Sequence, residues 1–355
     1  MKLETRQILN ELKPPVHGSA AREDVLDFST NTYPVELPDD IMAAMINALG
    51  DAGRYPDTDS SLLREKISAI FNITPESIVV GNGTSEIIRL AAFCFGKKAF
   101  IPQPTFSEYD YSVLLYGGAV VPARILEEND FLVTEDVLGE MPRDTSVVFL
   151  CNPNNPTGRA IPKKAMYSFL EETQGKGIMV VVDEVYFELS DSYSLIENVR
   201  EFKNLVVLRS LTKAYGLCGL RLGYAAADEK IIELLDKARP PWNVNSVAQK
   251  AGALCIGHPY IRAVKEMAEE SKKKLKQDLN RFPVKIYPSE SNFFLIDVME
   301  TRYDSASITK ILLDKGICVR DCASFPHLDK GYIRVGVKTP QMNKILIEKL
   351  GEVLE

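Results

Sequence analysis

Between residues 77 and 227 short β-branched runs alternate with stretches of helical periodicity, and this alternation restricts the chain to one broad class of fold. The runs fall at 77–80, 98–102, 120–124, 146–150, 178–182, 205–209 and 223–227, with helical patterns at 85–95, 106–116 and 163–174 between them. Continuously apolar strands separated by helices read as a parallel sheet buried on both faces. The expected fold class is α/β, a mostly parallel seven-stranded sheet flanked by helices.

The pattern changes after about Pro240. A long charged amphipathic helix is expected over 245–280, then strands at 284–286, 292–298, 317–320 and 332–336 around a helix at 305–315. That α+β pattern predicts a second, smaller domain. The expected division is 1–35 as an N-terminal arm with part of the small domain, 36–240 as the large domain, and 241–355 as the small C-terminal domain. The stretch Ala238-Arg239-Pro240-Pro241-Trp242 is the expected hinge.

Composition narrows the partners. A chain of 355 residues with 45% hydrophobic content has ample material for a full core. A net charge of −7 argues against nucleic acid as a partner. Met1 to Glu11 mixes charged and apolar residues, unlike a secretory leader, and no apolar run is long enough to span a membrane. The six cysteines are scattered without framework or zinc spacing, so reduced cytoplasmic thiols and no metal are expected.

The chemistry-bearing residues sit where strands end. Val206-Val207-Leu208-Arg209 runs into Ser210-Leu211-Thr212-Lys213, and Arg221 follows. A lysine at the end of a buried strand is costly unless its charge is used or removed. Condensation with a cofactor aldehyde would remove it, and Ser210, Thr212 and Arg221 could hold a phosphate nearby. The combination points to pyridoxal 5′-phosphate. Gly81-Asn82-Gly83-Thr84-Ser85-Glu86 links a strand to a helix whose free N–H groups suit an anion; a tight turn with Thr84 as N-cap is an equally good account of it alone. Asp183 ends another apolar run and could pair with a protonated pyridine nitrogen, with Tyr186 within reach of the ring oxygen; either residue alone could be only a cap or a packed ring. Asn152-Pro153-Asn154-Asn155-Pro156-Thr157-Gly158 is a rigid turn that can aim the Asn155 amide.

These motifs, in this order, resemble the class I/II aminotransferases of pyridoxal-phosphate fold type I, over nearly the whole chain. Within that superfamily the chain is similar to the branch that holds histidinol-phosphate aminotransferase and threonine-phosphate decarboxylase, through Arg54-Tyr55-Pro56-Asp57, Pro241-Trp242-Asn243-Val244-Asn245, Val319-Arg320-Asp321-Cys322 and Tyr332-Ile333-Arg334-Val335. The resemblance implies that Lys213 carries the cofactor and moves protons, Asp183 pairs with the pyridine nitrogen, Asn155 and Tyr186 bind the ring oxygen, and Phe106 stacks on the ring. It implies Gly83, Thr84, Ser85, Ser210, Thr212 and Arg221 around the cofactor phosphate, with Tyr55 reaching it from the partner subunit of a homodimer. Arg334 with Asn31 is expected to bind a substrate carboxylate, and Arg320 the phosphate of a small phosphorylated amino acid or amine.

The resemblance also bears on the reaction. His17-Gly18 ahead of Asp27-Phe28-Ser29-Thr30-Asn31 is similar to the start of the decarboxylases, and His17 is a candidate phosphate ligand. Decarboxylation of L-threonine O-3-phosphate, serving corrinoid (cobalamin) synthesis, is therefore the first expectation. Histidinol-phosphate transamination is the alternative, followed by a broader aromatic or aspartate aminotransferase. A non-catalytic regulator on the same fold is the remote option.

Overall fold

The computed structural model describes residues 8–19 and 24–354, so the expected arm at 1–35 is described only in those parts. In chain order the strands are β1 (Leu26–Asp27), β2 (Ile78–Gly81), β3 (Lys98–Gln103), β4 (Ala119–Arg124), β5 (Val147–Cys151), β6 (Met179–Asp183), β7 (Leu205–Ser210), β8 (Gly223–Ala227), β9 (Lys285–Ile286), β10 (Phe293–Asp297), β11 (Ile317–Cys318), β12 (Arg320–Asp321) and β13 (Tyr332–Gly336). Strands β2 to β8 form one seven-stranded sheet in the order β2-β8-β7-β6-β5-β3-β4. Its pairings are parallel except that β8 runs antiparallel to both β2 and β7.

Successive strand residues point to opposite faces, and each face of this sheet has its own core. Val148, Leu150, Val180, Val182 and Val207 enter one cluster; Val147, Phe149, Val181, Val206 and Leu208 enter the other. Burial on both faces is why these segments read as continuous apolar runs. The same alternation sends Asp183 and Ser210 to the face shared with Phe149 and Leu208, and Arg209 to the opposite one.

The C-terminal part builds an antiparallel sheet, β12-β13-β10-β9. Strand β1, from the arm, pairs in parallel with β11, and residues 26–32 are held against the C-terminal part of the fold. Two expectations are corrected. The single helix over 245–280 is two helices, Ser246–Cys255 and Tyr260–Leu279. Gly257 takes a left-handed φ of +74°, which glycine adopts at no steric cost, and Pro259 cannot continue a helix. The strand over 317–320 breaks at Val319: β11 joins β1, whereas β12 joins β13. Helix Ser246–Cys255, expected in the small domain, packs on helices Asp39–Leu49 and Ser61–Phe71, the second of which packs on β2. Among the described residues no helix is long and apolar enough to cross a membrane.

Candidate active site

Strands β5, β6 and β7 run parallel and end at Cys151, Asp183 and Ser210, and open α/β sheets bind ligands beyond such carboxyl ends. A pocket lies there. It is lined by Gly83, Thr84, Ser85, Phe106, Asn155, Asp183, Tyr186, Ser210, Thr212, Lys213 and Arg221, together with Tyr109, Cys151 and Val185. Every cofactor-site residue expected from the sequence is in this set except Tyr55. Tyr55 is 78% exposed and stacks on Trp242 with ring centroids 4.4 Å apart.

At the floor, the Asp183 carboxylate accepts hydrogen bonds from the Tyr109 hydroxyl at 2.7 Å and the Val185 N–H at 3.1 Å. Burial nevertheless pushes its pKa up to about 6, against the lowering effect of Tyr109, Val185 and Lys213. A cation placed beside Asp183 would relieve that cost. The Tyr109 ring stacks on Phe149 at 5.4 Å and meets Phe106 edge-on at 5.6 Å, so one side chain braces both the acid and the aromatic wall.

Lys213 follows the turn after β7. Burial lowers its pKa, and the nearby Arg334 and Arg221 lower it further, which favours the neutral, nucleophilic amine. The far end of the pocket is built for an anion. Gly83, at φ +78°, precedes helix Thr84–Phe95, and a Cβ there would come within 2.7 Å of the Arg221 guanidinium. Ser210 and Thr212 hydroxyls lie 2.7 Å apart. Helix N–H groups, hydroxyls and an arginine are a donor set that could hold a phosphate.

A second cleft of about 310 Å³ opens from the same residues and is lined by His17, Asn31, Arg320, Arg334 and Phe325 alongside Ser85, Phe106, Asn155, Tyr186, Lys213 and Arg221. All the substrate-site candidates therefore converge on Lys213. Arg334, from β13, donates to Asn155 Oδ1 and to the Ser29 carbonyl, and its guanidinium lies over Phe293 at 5.5 Å. Asn31 Nδ2 donates to the Tyr186 hydroxyl at 3.1 Å. Arg320 donates to the Val16 carbonyl and the Ser324 hydroxyl, both at 2.7 Å. His17 Nε2 lies 2.9 Å from Glu108 Oε1, with its ring 5.9 Å from Phe106.

Sequence reading missed Tyr109, Glu108 and Cys151. Tyr109 and Phe106 share a face by their spacing of three, which reads as core packing, and core is indeed half of what Tyr109 does. The rigid turn after β5 is tied by its other asparagines: Asn154 donates to the Pro104 carbonyl and Asn152 accepts from the Ile161 N–H. Asn155 is thereby left to face the cleft. Asn31 Oδ1 and Arg334 Nε are buried with no protein partner, and both line or border the space where a ligand would sit.

This donor set fits pyridoxal phosphate: an amine of lowered pKa, a buried carboxylate that lacks a cation, an aromatic wall and an anion cradle at the opposite end. The chain belongs to the class I and II aminotransferases, whose family description matches residues 23–350; it is a pyridoxal-phosphate-dependent enzyme of fold type I. It is 31% identical to the histidinol-phosphate aminotransferase of Methanosphaera stadtmanae over 99% of this chain and 100% of that protein. The structure is similar to that of the histidinol-phosphate aminotransferase from Clostridium acetobutylicum, with a TM-score of 0.87 at 26% identity over 93% of this chain and 99% of the other. It is also similar to L-threonine-O-3-phosphate decarboxylase from Porphyromonas gingivalis, with a TM-score of 0.83 at 25% identity over the same shares.

Proposed function

We propose that this enzyme is a histidinol-phosphate aminotransferase. The preference for decarboxylation drawn from the sequence is thereby reversed, because full-length relatives at this level of identity carry the aminotransferase name. The observation that carries the reading is one cleft where Lys213 meets Arg320 and Arg334 in addition to Arg221, the arginine expected at the cofactor phosphate. A phosphate monoester and an oxo acid can then take turns at a single amine. Histidinol phosphate has no carboxylate, so Arg334 serves the oxo acid and Arg320, with His17, the phosphate.

Pyridoxal phosphate, when bound, supplies an aldehyde and an electron-withdrawing ring that stabilises negative charge at the substrate Cα. Asp183, held in place by Tyr109, would keep the ring nitrogen protonated. Phe106 would provide the aromatic wall for the ring, while Asn155 and Tyr186 would bind its oxygen. Gly83, Thr84, Ser85, Ser210, Thr212 and Arg221 would hold the cofactor phosphate. Lys213, as a neutral amine, would move the proton at the substrate Cα.

Threonine-phosphate decarboxylation is the second reading, favoured by the likeness to the Porphyromonas enzyme and by His17 at the cleft mouth. The test offers purified, cofactor-loaded protein each substrate separately. Glutamate formed from histidinol phosphate and 2-oxoglutarate supports the first reading. Carbon dioxide released from threonine phosphate without any oxo acid, with histidinol phosphate inert, supports the second and overturns the first.

The same reading includes a homodimer with Tyr55 completing the phosphate site of its neighbour. Met42, Ile46 and Leu49 on helix Asp39–Leu49, Leu62 on helix Ser61–Phe71 and Leu254 on helix Ser246–Cys255 are exposed. The last of these helices packs on the other two, and an exposed apolar surface of this kind suits association with a second copy.

A further inference from the structure

Residues 28–32 cross the cleft, and every one of their carbonyl groups is held from the C-terminal part of the fold. Phe28 O accepts from the Gly336 N–H at 2.8 Å, Ser29 O from Arg334 and Asn31 O from Asn292 Nδ2 at 3.1 Å. The two carbonyls that flank Asn31 share one donor. Lys338 Nζ reaches Thr30 O at 3.0 Å and Thr32 O at 2.7 Å, and also the Thr32 hydroxyl at 3.2 Å.

Lys338 is 2% exposed, and its three ammonium protons have three oxygen acceptors, so its full donor capacity is spent on this one segment. Burial pulls its pKa down to about 8, which leaves the amine protonated at neutral pH. The base of the side chain is fixed as well: the Lys338 N–H donates to Asn343 Oδ1 at 3.0 Å and the Asn343 amide donates back to Lys338 O at 2.9 Å. A buried lysine is expensive to keep, and a merely structural tie between two backbone segments needs no charge. Its strong charge-assisted bonds fall on either side of the one residue in the segment whose side chain faces the Tyr186 hydroxyl. The segment then continues to Tyr33, whose N–H donates to the Lys213 carbonyl at 3.3 Å.

We infer that Lys338 is a positioning residue for substrate binding: it clamps the backbone on both sides of Asn31 and so fixes the Asn31 amide against Tyr186 beside Lys213. The inference rests on the proposed function, in which Arg334 binds the carboxylate of the oxo acid, and on the help that the family resemblance assigns to Asn31 in that contact. It acts through Asn31 and does not require Lys338 to touch substrate or cofactor.

The test is a double-mutant cycle with Lys338→Met, which keeps the bulk and removes the donors, and Asn31→Ala. Lys338→Met should raise the KM for 2-oxoglutarate about tenfold or more with a smaller change in kcat, and keep the cofactor absorption. The double variant should be no worse than Asn31→Ala alone. In cofactor-free protein, backbone amide hydrogen exchange over residues 28–33 should quicken in Lys338→Met. Should Lys338→Met fail to fold, Lys338→Gln retains a neutral donor and should give the same effects in weaker form. Effects of the two substitutions that multiply, or a loss of thermal stability with KM and exchange unchanged, overturn the inference. If Asn31→Ala itself leaves KM unchanged, the substrate role of Asn31 is what falls, and the exchange measurement still decides whether Lys338 orders the segment.

Discussion

The Tyr109 hydroxyl donates to Asp183 Oδ2 at 2.7 Å from a ring stacked on Phe149. The acid at the floor of the pocket is therefore oriented by a side chain that is itself locked into the core. Asp183 gains two hydrogen bonds but no fixed cation at contact distance, and its pKa stays at about 6, above the ordinary carboxylate range. The free enzyme thus carries a strained charge that a protonated ring nitrogen would relieve.

Removing that charge should stabilise the cofactor-free protein and destroy its activity. Because the folded-state pKa is raised, the native protein holds a proton that the unfolded chain releases between about pH 4 and pH 6. Stability falls as pH rises through that window. At about pH 8 Asp183→Asn should stabilise cofactor-free protein by about 1–3 kcal/mol in urea unfolding, and the gain should vanish below about pH 4. With cofactor bound, turnover should drop about 100-fold or more. Tyr109→Phe removes one bond to the ionised form, so the acid limb of its activity profile should move to higher pH. A limb that stays put would mean Asp183 does not govern it.

Lys213→Ala should abolish both turnover and the visible absorption of the lysine-linked cofactor, leaving circular dichroism and oligomeric state unchanged. A variant that keeps the band would remove the basis for every other assignment in the pocket.

The sequence made the large sheet legible because its strands are buried on both faces, so Val180-Val181-Val182 and Val206-Val207-Leu208 stand out without periodicity analysis. Two of the pocket-lining residues were legible for a related reason. Asp183 and Lys213 are charges at the ends of apolar runs, where an unpaired charge is costly. Tyr109 was not legible, because a tyrosine in a helix pattern is indistinguishable from core until its hydroxyl is seen on Asp183. Lys338 was hidden by distance in the chain: its partners Thr30 and Thr32 come near only once β1 pairs with β11. The break at Val319 has the same origin, since two strands of different sheets look like one in sequence.

Behind the pocket, Arg209 is 2% exposed and donates to Glu184 Oε2 at 3.2 Å, to the Ser194 hydroxyl at 3.1 Å and to Glu188 Oε1 at 2.5 Å. It sits 4.1 Å over the Phe187 ring. Arg209→Ala would strand two buried carboxylates, and urea unfolding should show a loss of about 3–5 kcal/mol. Asp183 and Ser210, the chain neighbours of Glu184 and Arg209, line the pocket proposed for the cofactor, so cofactor affinity should weaken too. Unchanged stability would mean the carboxylates take up protons without cost.

Arg334→Ala should keep the cofactor spectrum and split the two half-reactions. The KM for 2-oxoglutarate should rise about 10- to 100-fold, as expected for loss of a bidentate carboxylate contact. The KM for histidinol phosphate, which lacks a carboxylate, should change less. Equal effects on both substrates, measured by stopped-flow half-reactions, would place Arg334 in the common machinery with Asn155.

Tyr55 tests the dimer. It is exposed in the single chain and lies outside the pocket lining, yet the family resemblance assigns it to the cofactor phosphate of the neighbouring subunit. If so, Lys213→Ala and Tyr55→Ala variants are each defective for different reasons, and a mixed dimer contains one site with both residues intact. The other site of that dimer lacks both. Unfolding and refolding the two variants together should therefore restore about a quarter of wild-type activity when subunits pair at random. Each variant refolded alone should stay at its own low level. Tyr55 serving its own subunit would give no recovery beyond the sum of the separate variants, because neither site of any mixed dimer would then be complete.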